Sequence, residues 1–556
     1  KKRGVIRKLL AAEALGSTTL ILTDKTGTLT EAKMTLTDVV PWNASTSKAE
    51  LLSSAIINME VLIENPEDTH TKWRLIGRPM EVALIRDAAA QGVFLPERSS
   101  AVHIIDRFPF HSRHKYSMSL VEEKGERTMI LVGGPDIILP FTTLTNQEQA
   151  TLRTHIEARA NAGERLLGVS YKKPSSKHTN LNLNKEPSGF TFQGLLAFRD
   201  PVRPQVKDAI ARINKYGVRT IMVTGDHPGT ATTIGKELGM CGKNTLALTG
   251  DDLRRISPVT LAAQANDISI YARVTPEQKL DIVRMYQGRG EVVAVTGDGV
   301  NDAPALEAAD IGVAVGSGTD VAKSAADLVI LDDNFETIVL AIEEGRRILG
   351  NIRKVLIYLL SSVVDSVLLI GGALLLGLPL PLNPLQILFV NFFSDSFPAI
   401  AFAFEEHNDV HGAGGRTQKL FDNEMRILIW VLGLSTSILL FSLYLVLLQA
   451  GYDPKLVHTF VFASFATYTL LMTFSLRSLE KSILTYNPFG NLYLTGGVGI
   501  GIFLTLSAIY IPVMQKALST VPLPLPWLLG VGAVGIVNVC GVELVKWLVR
   551  KRIINA

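Results

Sequence analysis

The pattern of apolar and polar residues changes near residue 352. Before this point, short apolar runs alternate with charged segments of helical periodicity, which is typical of a water-facing α/β protein. After it, long apolar stretches are separated by short polar loops. Each stretch has roughly the 20 residues that a helix needs to cross a bilayer. The sequence therefore predicts an all-α membrane part of six transmembrane helices, at about 354–377, 384–404, 427–449, 456–475, 491–514 and 525–548.

The loops between these predicted helices differ in charge. Lysine and arginine residues gather before the first helix, between the second and third, after the fourth and at the end of the sixth. The opposite loops contain only Lys455 and Lys516. Positive residues are enriched in the cytoplasmic loops of membrane proteins. We therefore expect an integral membrane protein of the plasma membrane, with its head and both ends of this chain in the cytoplasm.

The overall composition excludes one class of function. The chain has 556 residues, with 55 lysines and arginines against 52 aspartates and glutamates, and a net charge of +3. A general nucleic-acid binder would carry a basic excess, so we expect no nucleic-acid partner. The two cysteines, Cys241 and Cys540, offer neither a disulfide framework nor a CxxC metal site.

Three apolar, β-branched runs each lead into a carboxylate. "STTLILT" precedes Asp24, and "VRTIMV" runs into "TGD", which ends at Asp226. "EVVAV" runs into "TGDGVNDAPAL", which contains Asp298, Asn301 and Asp302. Helical patterns lie before the second and the third run. This alternation predicts a parallel, doubly wound α/β sheet.

Ligands of such sheets bind beyond the carboxyl ends of the strands, where these side chains converge. Carboxylates that converge need a cation, and hard oxygen ligands favour Mg²⁺. A Mg²⁺ site beside Asp24 fits phosphoryl transfer with this carboxylate as the nucleophile. Lys279, in "TPEQK", is the expected cation for the remaining phosphate charge. The glycine and threonines after Asp24 let backbone N–H groups approach the phosphoryl oxygens.

The stretches "DKTGTLT", "TGD" and "TGDGVNDAPAL", in this order, resemble the phosphorylation core of P-type ATPases. These proteins are ion pumps of the haloacid-dehalogenase superfamily. The resemblance implies that Asp24 becomes an aspartyl phosphate. The implied Mg²⁺ ligands are Asp24, the carbonyl of Thr26 and Asp298, and the other implied catalytic residues are Thr224, Lys279, Asn301 and Asp302.

Thr26 separates this chain from the soluble phosphatases of the superfamily. Those enzymes carry a second aspartate two positions after the nucleophile, where it acts as a general acid and base. Without that base, water attack should be slow and the acyl phosphate should persist. A persistent acyl phosphate is what a pump needs while the protein changes shape.

Nearly 200 residues lie between the first two predicted strands, far too many for a crossover. An inserted domain is expected at about 33–194, between two parts of a phosphorylation domain (1–32 and 195–345) and ahead of a transmembrane domain (346–556). The resemblance implies that the insertion is an α+β nucleotide-binding domain for ATP.

The inserted domain contains several stretches that resemble nucleotide-binding segments. In "PFHSRHKYSMSL", Phe110 would stack on the base and Lys115 would lie near the phosphates. Many pumps carry a lysine where "LVGGPDII" has Val132, so nucleotide affinity is expected to be lower or Lys115 to carry more of that role. The remaining implied nucleotide residues are Glu81, Arg165, Asp200, Arg203, Thr224, Gly225 and Asp226.

The second predicted transmembrane helix carries polar residues in "FVNFFSDSFPA". Asn391, Ser394 and Asp395 have the i, i+3, i+4 spacing of one helix face. The first predicted helix offers Asp365 among serines. Intramembrane carboxylates are hypotheses of function by default, and these suit Ca²⁺ or, with a protonated carboxyl, H⁺.

The second-helix stretch resembles that of type II pumps, particularly calcium pumps, but the ion-site match is incomplete. Val363 and Ser366 stand where two-site calcium pumps carry Asn and Glu, and Thr469 stands where they place an acid. The sequence therefore leaves three possibilities for the transported ion: Ca²⁺ at a single site, a proton, or another small cation. Heavy-metal transport is disfavoured because the predicted helices contain no cysteine pair.

Pumps of this family also have an actuator domain with a "TGE" loop and four earlier transmembrane helices. No "TGE" occurs in this sequence, and it begins at Lys1 without a methionine. We therefore expect the C-terminal part of an ATP-driven cation pump, which works with its missing N-terminal half or with a complementary chain. The alternatives are a membrane-anchored phosphatase and a non-catalytic ATP-sensing subunit.

Overall fold

The computed structural model describes residues 4–7, 11–111, 114–174, 181, 187–242, 245–405 and 420–554. The chain forms two compact units. The first comprises Lys1–Arg7 and Leu20–Val339, and the second comprises Lys8–Thr19 and Leu340–Ala556.

The first unit contains a large sheet of eight strands. Seven of them are parallel, and the edge strand Gly4–Ile6 pairs antiparallel with its neighbour. Their spatial order is Gly4–Ile6, Leu328–Ile330, Ile311–Val315, Val293–Gly297, Leu20–Thr23, Arg219–Val223, Ile268–Ala272 and Leu246–Thr249. The three strands predicted to lead into carboxylates are therefore adjacent at the centre of the sheet.

Helices connect the parallel strands, as the alternating pattern predicts. The helix Val206–Lys215 buries Val206, Ala209, Ile210 and Ile213, which recur at the spacing of one helix face. The helices around this sheet are Val206–Lys215, Pro228–Glu237, Gly250–Arg255, Pro258–Gln264, Pro276–Gly288, Ala303–Ala308 and Asp320–Ala325. The expectation of a doubly wound α/β core is confirmed.

A second, antiparallel sheet of six strands is formed by the residues inserted after the first central strand. Its spatial order is Thr35–Pro41, Thr191–Arg199, Arg165–Lys172, Glu126–Gly133, Tyr116–Glu123 and His103–Phe108. The last of these strands in the chain, Thr191–Arg199, runs five residues past the domain boundary expected at 194. The division of this unit into two domains stays a prediction.

Both faces of the antiparallel sheet are covered. Ile130 and Val132 pack into one core cluster, and Leu131 between them packs into the other. A strand buried on both faces reads as a continuous apolar run. The accompanying helices are Lys48–Ile57, Pro79–Ala90, Leu95–Ala101, Pro135–Ile138 and Asn146–Asn161, and a small ribbon pairs Leu62–Ile63 with Leu75–Ile76.

Among the described residues, six helical segments are long and apolar enough to cross a membrane, which confirms the predicted number; all lie in the second unit except the first turn of the first segment. Their bounds are Phe335–Leu375, Pro384–Phe404, Asn423–Gln449, Pro454–Leu476, Leu492–Tyr510 and Leu525–Val549. The fourth segment is the central one, because 89% of its most apolar window is buried against 33% to 39% for the other five. Two shorter helices, Ala11–Ser17 and Pro512–Leu518, complete the unit.

Three of these segments differ from the prediction by at least four residues at one end, and the third of the six begins at Asn423 instead of residue 427. The first helix begins at Phe335, well before the apolar stretch. Its N-terminal turns are amphipathic rather than uniformly apolar, so the predicted apolar segment did not include them. The fifth ends at Tyr510 instead of residue 514. Pro512 disfavours helical backbone at the residue before it, and a separate short helix starts there.

Gly433 sets a close approach between two of the apolar helices. A Cβ atom added there would lie 2.7 Å from Cγ1 of Val364 and 2.9 Å from the carbonyl oxygen of Ser361. Small residues allow helix backbones to approach in this way. We expect Gly433→Ala to destabilise the full-length protein by about 1–3 kcal/mol through overpacking. The measurement is the thermal midpoint in detergent, followed by size-exclusion chromatography.

Gly499→Ala is the matched control, because an added Cβ at Gly499 meets no atom within 4 Å among the described residues. Its midpoint should equal or slightly exceed that of the wild type, since alanine is the better helix former. Equal midpoints for Gly433→Ala and the wild type would contradict the close approach.

Candidate active site and cation site

Asp24 follows the central strand Leu20–Thr23, and its backbone is held by two threonines. Its N–H donates to Oγ1 of Thr296 (3.1 Å), whose hydroxyl donates to Oγ1 of Thr23 (3.0 Å). The hydroxyl of Thr23 in turn donates to the carbonyl of Asp24 (3.1 Å). The hydroxyls of two adjacent strands therefore position the predicted nucleophile at the edge of the sheet.

The loop after Asp24 depends on Gly27. This residue has φ +75°, a backbone conformation that side chains disfavour. A Cβ atom at Gly27 would also lie 3.4 Å from Oδ2 of Asp298. The glycine of "DKTGTLT" therefore turns the chain and leaves room for a carboxylate of the neighbouring strand.

Three carboxylates converge beside this loop. One oxygen each of Asp24, Asp298 and Asp302 lies within 4.8 Å of the others. Nζ of Lys279 donates to Oδ2 of Asp24 (2.8 Å) and to Oδ1 of Asp302 (2.7 Å). The other oxygen of Asp302 accepts from the backbone N–H groups of Asp298 (3.3 Å) and Gly299 (3.2 Å). The four side chains therefore lie together at this edge of the sheet, and their catalytic and metal-binding roles stay a prediction.

The position of Lys279 follows from the start of its helix. Thr275 and Gln278 form a capping box at the N-terminus of the helix Pro276–Gly288. The side-chain amide of Gln278 also donates to the carbonyl of Gly250 (2.7 Å). Lys279 comes directly after this anchored turn, so its long side chain leaves the helix at a defined point.

The electrostatics of the carboxylate cluster are those of a cation site. Burial, together with the neighbouring carboxylate of Asp302, raises the pKa of Asp24 although Lys279 acts in the opposite direction. Burial and the carboxylates of Asp24 and Asp302 raise the pKa of Asp298. Burial disfavours the charge of Lys279, but Asp24 and Asp302 outweigh it and raise its pKa. One lysine does not balance three carboxylates, and their hard oxygen atoms fit a divalent cation such as Mg²⁺.

The "TGD" loop lies next to this cluster through an ion pair that the sequence did not reveal. Lys25 is buried and pairs with the carboxylate of Asp226. The hydroxyl of Thr224 accepts from the N–H of Asp226 (3.2 Å), and a Cβ added at Gly225 would meet no described atom within 4 Å. Lys25 follows Asp24 directly, but neither stretch alone indicates that they pair across adjacent strands.

Asp200 and Arg203 hold the other end of the phosphorylation loop. Asp200 accepts from the hydroxyl of Thr30 (2.6 Å) and from the N–H of Lys33 (3.2 Å). Arg203 donates to the carbonyls of Thr30 (3.1 Å) and Gly27 (3.3 Å). These contacts support the loop directly, a role additional to the predicted one beside the nucleotide.

Asn301 is placed differently from the buried cluster. It is exposed in the short helical turn Val300–Asp302, whereas the adjacent Asp302 is buried. Thr26 is also exposed, with extended backbone (φ −74°, ψ 132°). The side chains of both residues are therefore accessible to solvent, unlike that of Asp302.

The residues predicted to bind the base lie at a separate place on the antiparallel sheet. The guanidinium of Arg78 lies 4.5 Å from the ring centroid of Phe110 and 2.6 Å from Oε1 of Glu81. Lys115 is exposed and has a left-handed backbone (φ +58°) just before a strand. Arg78 was missed, although its spacing of three residues from Glu81 on a helix was a signal. Ser112 and Arg113 of this stretch lie outside the described residues.

Val132 lies inside the strand Glu126–Gly133 and is 2% exposed. It is paired between Ser117 and Val169 of the neighbouring strands and belongs to the apolar core. Valine therefore fits this position as a core residue, and it supplies no cation to the predicted base site.

A cleft of about 820 Å³ lies beside the phosphorylation loop in the first unit. Its walls include Lys25, Thr26, Arg165, Asp200 and Asp226. Phe110 and Glu81, predicted at the base, and Lys115, predicted near the phosphates, are not among the described residues that line it. The structure therefore brings Arg165 to the phosphorylation loop and leaves the base-binding residues apart from it.

In the second unit, Asp395 is almost completely buried and hydrogen-bonded on both oxygens. The hydroxyl of Tyr358 donates to Oδ1 (2.7 Å) and that of Ser362 donates to Oδ2 (3.1 Å). Tyr358 and Ser362 lie four residues apart on the first apolar helix and therefore share a face. Ser362 is one of the serines that the sequence places around Asp365, whereas Tyr358 was not predicted.

The expected common face of Asn391, Ser394 and Asp395 is not observed. Val390–Ser394 forms a π-helical turn, in which the N–H of Asp395 donates to the carbonyl of Val390 (2.9 Å). Pro398 has no N–H for the carbonyl of Ser394, which favours such an irregularity. The extra residue in the turn leaves Asn391 exposed while Ser394 and Asp395 are buried.

Asp365 occupies a different environment from Asp395. It is 1% exposed, and its carboxylate oxygens have no hydrogen-bond partner among the described residues. The hydroxyl of Thr436 lies nearby but donates to the carbonyls of Leu432 and Gly433. No described hydrogen bond joins Asp365 to Asp395.

Family models match both parts of the chain. The model of haloacid dehalogenase-like hydrolases matches residues 18–310, and a second model of that description matches residues 280–342. The model described as "Cation transporting ATPase, C-terminus" matches residues 379–548. The first match covers five of the eight strands of the large sheet together with the carboxylate cluster, and the last covers five of the six apolar helices.

Curated relatives resemble nearly the whole chain. The "Calcium-transporting ATPase" of Bacillus subtilis is 35% identical over 96% of this chain and 64% of its own length. The "Calcium-transporting ATPase 1" of Lactococcus lactis is 34% identical (98% and 64%), and "Calcium-transporting ATPase 1" of Saccharomyces cerevisiae is 33% identical (94% and 59%). The chain thus spans less than two thirds of the length of these relatives. Residues 379–548 are similar to the C-terminal part of cation-transporting ATPases, and the chain belongs to the haloacid dehalogenase-like hydrolase family.

Proposed function

We propose that this chain is the catalytic and C-terminal membrane part of a P-type ATPase that transports Ca²⁺. The observation that carries the proposal is the placement of Lys279 between Asp24 and Asp302, with Asp298 beside them. A second support is the buried carboxylate of Asp395 in an apolar helical segment. The relatives named as calcium-transporting ATPases favour Ca²⁺ as the transported ion.

In this proposal a carboxylate oxygen of Asp24 attacks the γ-phosphorus of ATP. The new bond joins this oxygen to phosphorus, the bond between phosphorus and the bridging oxygen breaks, and ADP leaves with the electron pair. Lys279 keeps Asp24 in its ionised, nucleophilic form and offsets phosphate charge. Asp24, Asp298 and the carbonyl of Thr26 would hold Mg²⁺, which when bound supplies further charge compensation.

The nucleotide is assigned to two groups of residues in the first unit. Phe110 would stack on the base, with Glu81 beside it and Lys115 near the phosphates. Around the phosphorylation loop, the phosphate chain would meet Arg165, Asp200, Arg203, Thr224, Gly225, Asp226 and Asn301. Because the two groups do not line a common cleft, productive binding requires them to approach each other, as in other enzymes that close around their substrate.

The membrane part would bind the transported ion at Asp395. Asp395 supplies the carboxylate that Ca²⁺ prefers, the hydroxyls of Tyr358 and Ser362 orient this carboxylate, and Ser394 is buried beside it. Asp365 is a second candidate ligand because it is a buried carboxylate on the first apolar helix, whereas Asn391 is exposed and does not share the face of Asp395. We place the head in the cytoplasm and the protein in the plasma membrane. The actuator domain and four further helices would come from the part of the relatives' length that this chain does not span.

Two functions of other classes are alternatives to the proposed pump, and the experiments below distinguish them. A membrane-anchored phosphatase would use the same carboxylate cluster, but Thr26 leaves it without the usual acid and base. A non-catalytic ATP-sensing subunit is favoured only by Val132, which contributes no cation to the base site. A pump for protons or for another small cation uses the same chemistry at Asp24.

The first prediction concerns the phosphorylated intermediate. Membranes that contain the full-length native protein should form acid-stable phosphoprotein from radiolabelled ATP when Ca²⁺ is present. Asp24→Asn should reduce the label by at least about a hundredfold, because an amide is not a nucleophile at phosphorus. Labelling across pH and with other cations identifies the ion.

Asp251→Asn is the matched control, since this aspartate is exposed on a surface helix of the same unit. It should label like the wild type. Rapid hydrolysis of small phosphate esters without ATP would instead support the phosphatase. Bound ATP without label under all conditions would support the sensing subunit.

The second prediction concerns the lifetime of the intermediate. Thr26→Asp should place a general base beside the acyl phosphate, and the label should decay roughly ten- to a hundredfold faster in a chase with unlabelled ATP. Thr26→Ser adds no carboxylate and should leave the decay unchanged. Equal decay rates for both variants would contradict the proposed reason for threonine at this position.

The third prediction concerns the transported ion. Asp395→Asn should raise the Ca²⁺ concentration for half-maximal labelling by about tenfold or more, because an amide replaces a charged ligand. The ATP concentration for half-maximal labelling should not change. If the Ca²⁺ dependence of Asp395→Asn matched that of the wild type, Asp395 would not be a ligand of the transported ion.

A further inference from the structure

Four buried polar side chains meet at helix ends in the second unit, outside the proposed cation site. They are Asn351, Glu405, Arg477 and Asn491, each at most 7% exposed, and we refer to them as the Glu405 cluster. Glu405 follows the segment Pro384–Phe404, Arg477 follows the helix Pro454–Leu476, and Asn491 precedes the helix Leu492–Tyr510. The cluster therefore joins three helix ends to the first apolar helix.

Arg477 uses its whole guanidinium group in this cluster. Nε donates to Oε2 of Glu405 and Nη2 donates to Oε1, both at 2.8 Å. Nη1 donates to the carbonyls of Asn487 and Pro488, both at 2.7 Å. The two parallel bonds to the carboxylate are a fork that lysine cannot reproduce.

Glu405 is also held from its other sides. Nδ2 of Asn491 donates to Oε2 of Glu405 (3.0 Å), while Oδ1 of Asn491 caps its own helix by accepting from the N–H of Leu494 (3.0 Å). The backbone carbonyl of Glu405 accepts from Nη1 of Arg347 (3.2 Å) and Nδ2 of Asn351 (3.1 Å). Glu405 is thus tied directly to the first apolar helix.

The same two segments carry the proposed cation site. Asp395 lies ten residues before Glu405 on one segment, and Tyr358 lies seven residues after Asn351 on the other. At about 1.5 Å per residue, the cluster lies roughly 10–15 Å along each segment from the hydrogen bond between Tyr358 and Asp395. Fixing Glu405 against Asn351 and Arg347 therefore fixes the axial register of Asp395 against its hydroxyl partners.

We infer that Glu405 and Arg477 are positioning residues for the cation site. This inference rests on the proposed function, because it takes Asp395 as a ligand of the transported ion. A buried ion pair is a weak source of stability, since desolvation offsets its attraction. Its geometry, in contrast, is specific: two parallel hydrogen bonds admit one relative placement of the segments. Ligands held by such supporting contacts lose affinity when the support loosens.

The test uses the full-length native protein in its membrane, with Ca²⁺ and labelled ATP. Arg477→Lys keeps the positive charge but loses the fork, and it should raise the Ca²⁺ concentration for half-maximal labelling by about tenfold. The ATP concentration for half-maximal labelling should stay within about twofold of the wild type. Asn351→Leu removes one bond to the Glu405 carbonyl at similar volume and should raise the half-maximal Ca²⁺ about threefold.

Arg353→Lys is the matched control. Arg353 is similarly buried on the first apolar helix and pairs with Asp422 (2.8 Å) instead of Glu405. Its half-maximal Ca²⁺ should stay at the wild-type value.

The outcomes separate the two proposals. If Arg477→Lys takes label with an unchanged Ca²⁺ concentration for half-maximal labelling, the positioning role alone is overturned. The same holds if the ATP concentration for half-maximal labelling rises equally, because such a rise indicates general damage. If Arg477→Lys does not reach the membrane, Asn351→Leu decides instead: its Ca²⁺ concentration for half-maximal labelling should rise while its ATP concentration for half-maximal labelling does not. A wild-type protein that takes no label with any cation would overturn the proposed function and this inference together.

Discussion

The first unit is organised around the repulsion of three carboxylates that the parallel sheet brings together. Strands that run in one direction end at one edge, so the residues after Leu20–Thr23 and Val293–Gly297 meet there. Asp24, Asp298 and Asp302 cannot share this edge in their ionised forms without positive charge nearby. Lys279 supplies part of it, and the helix that carries Lys279 is anchored by its capping box. This constraint accounts for the proposed metal site, for the loop geometry at Gly27 and for the paired hydroxyls of Thr23 and Thr296.

The constraint also explains how much of this site the sequence could predict. Asp24, Asp298 and Asp302 each follow an apolar β-branched run, which is a clear signal of a buried parallel strand. Lys279 was predictable because a phosphate site requires a cation. The pair between Lys25 and Asp226 was not, because it depends on how one side chain leaves an irregular loop. Arg78 beside Phe110 was missed for a similar reason: its contact crosses between a helix start and a separate loop.

In the membrane half, periodicity predicted the number of helices but not their local distortions. The spacing of Asn391 and Asp395 assumes 3.6 residues per turn, and the π-helical turn before Pro398 breaks that assumption. Tyr358 and Ser362 became recognisable as partners only when the packing of two segments was known. The Glu405 cluster could not be predicted for the same reason, since its members come from three helix ends and from the interior of the first apolar helix. Local pattern thus identifies elements, whereas the contacts between them depend on packing.

The central claim is that phosphorylation of Asp24 drives movement of a cation past Asp395. The most direct measurement is the accumulation of radioactive Ca²⁺ in sealed inside-out vesicles that contain the full-length native protein. The account predicts uptake that requires ATP and Mg²⁺, that is released by a calcium ionophore, and that is absent in vesicles of Asp24→Asn. Uptake that persists in the Asp24→Asn vesicles would contradict it, as would ATP hydrolysis by the wild type with no cation accumulated under any condition.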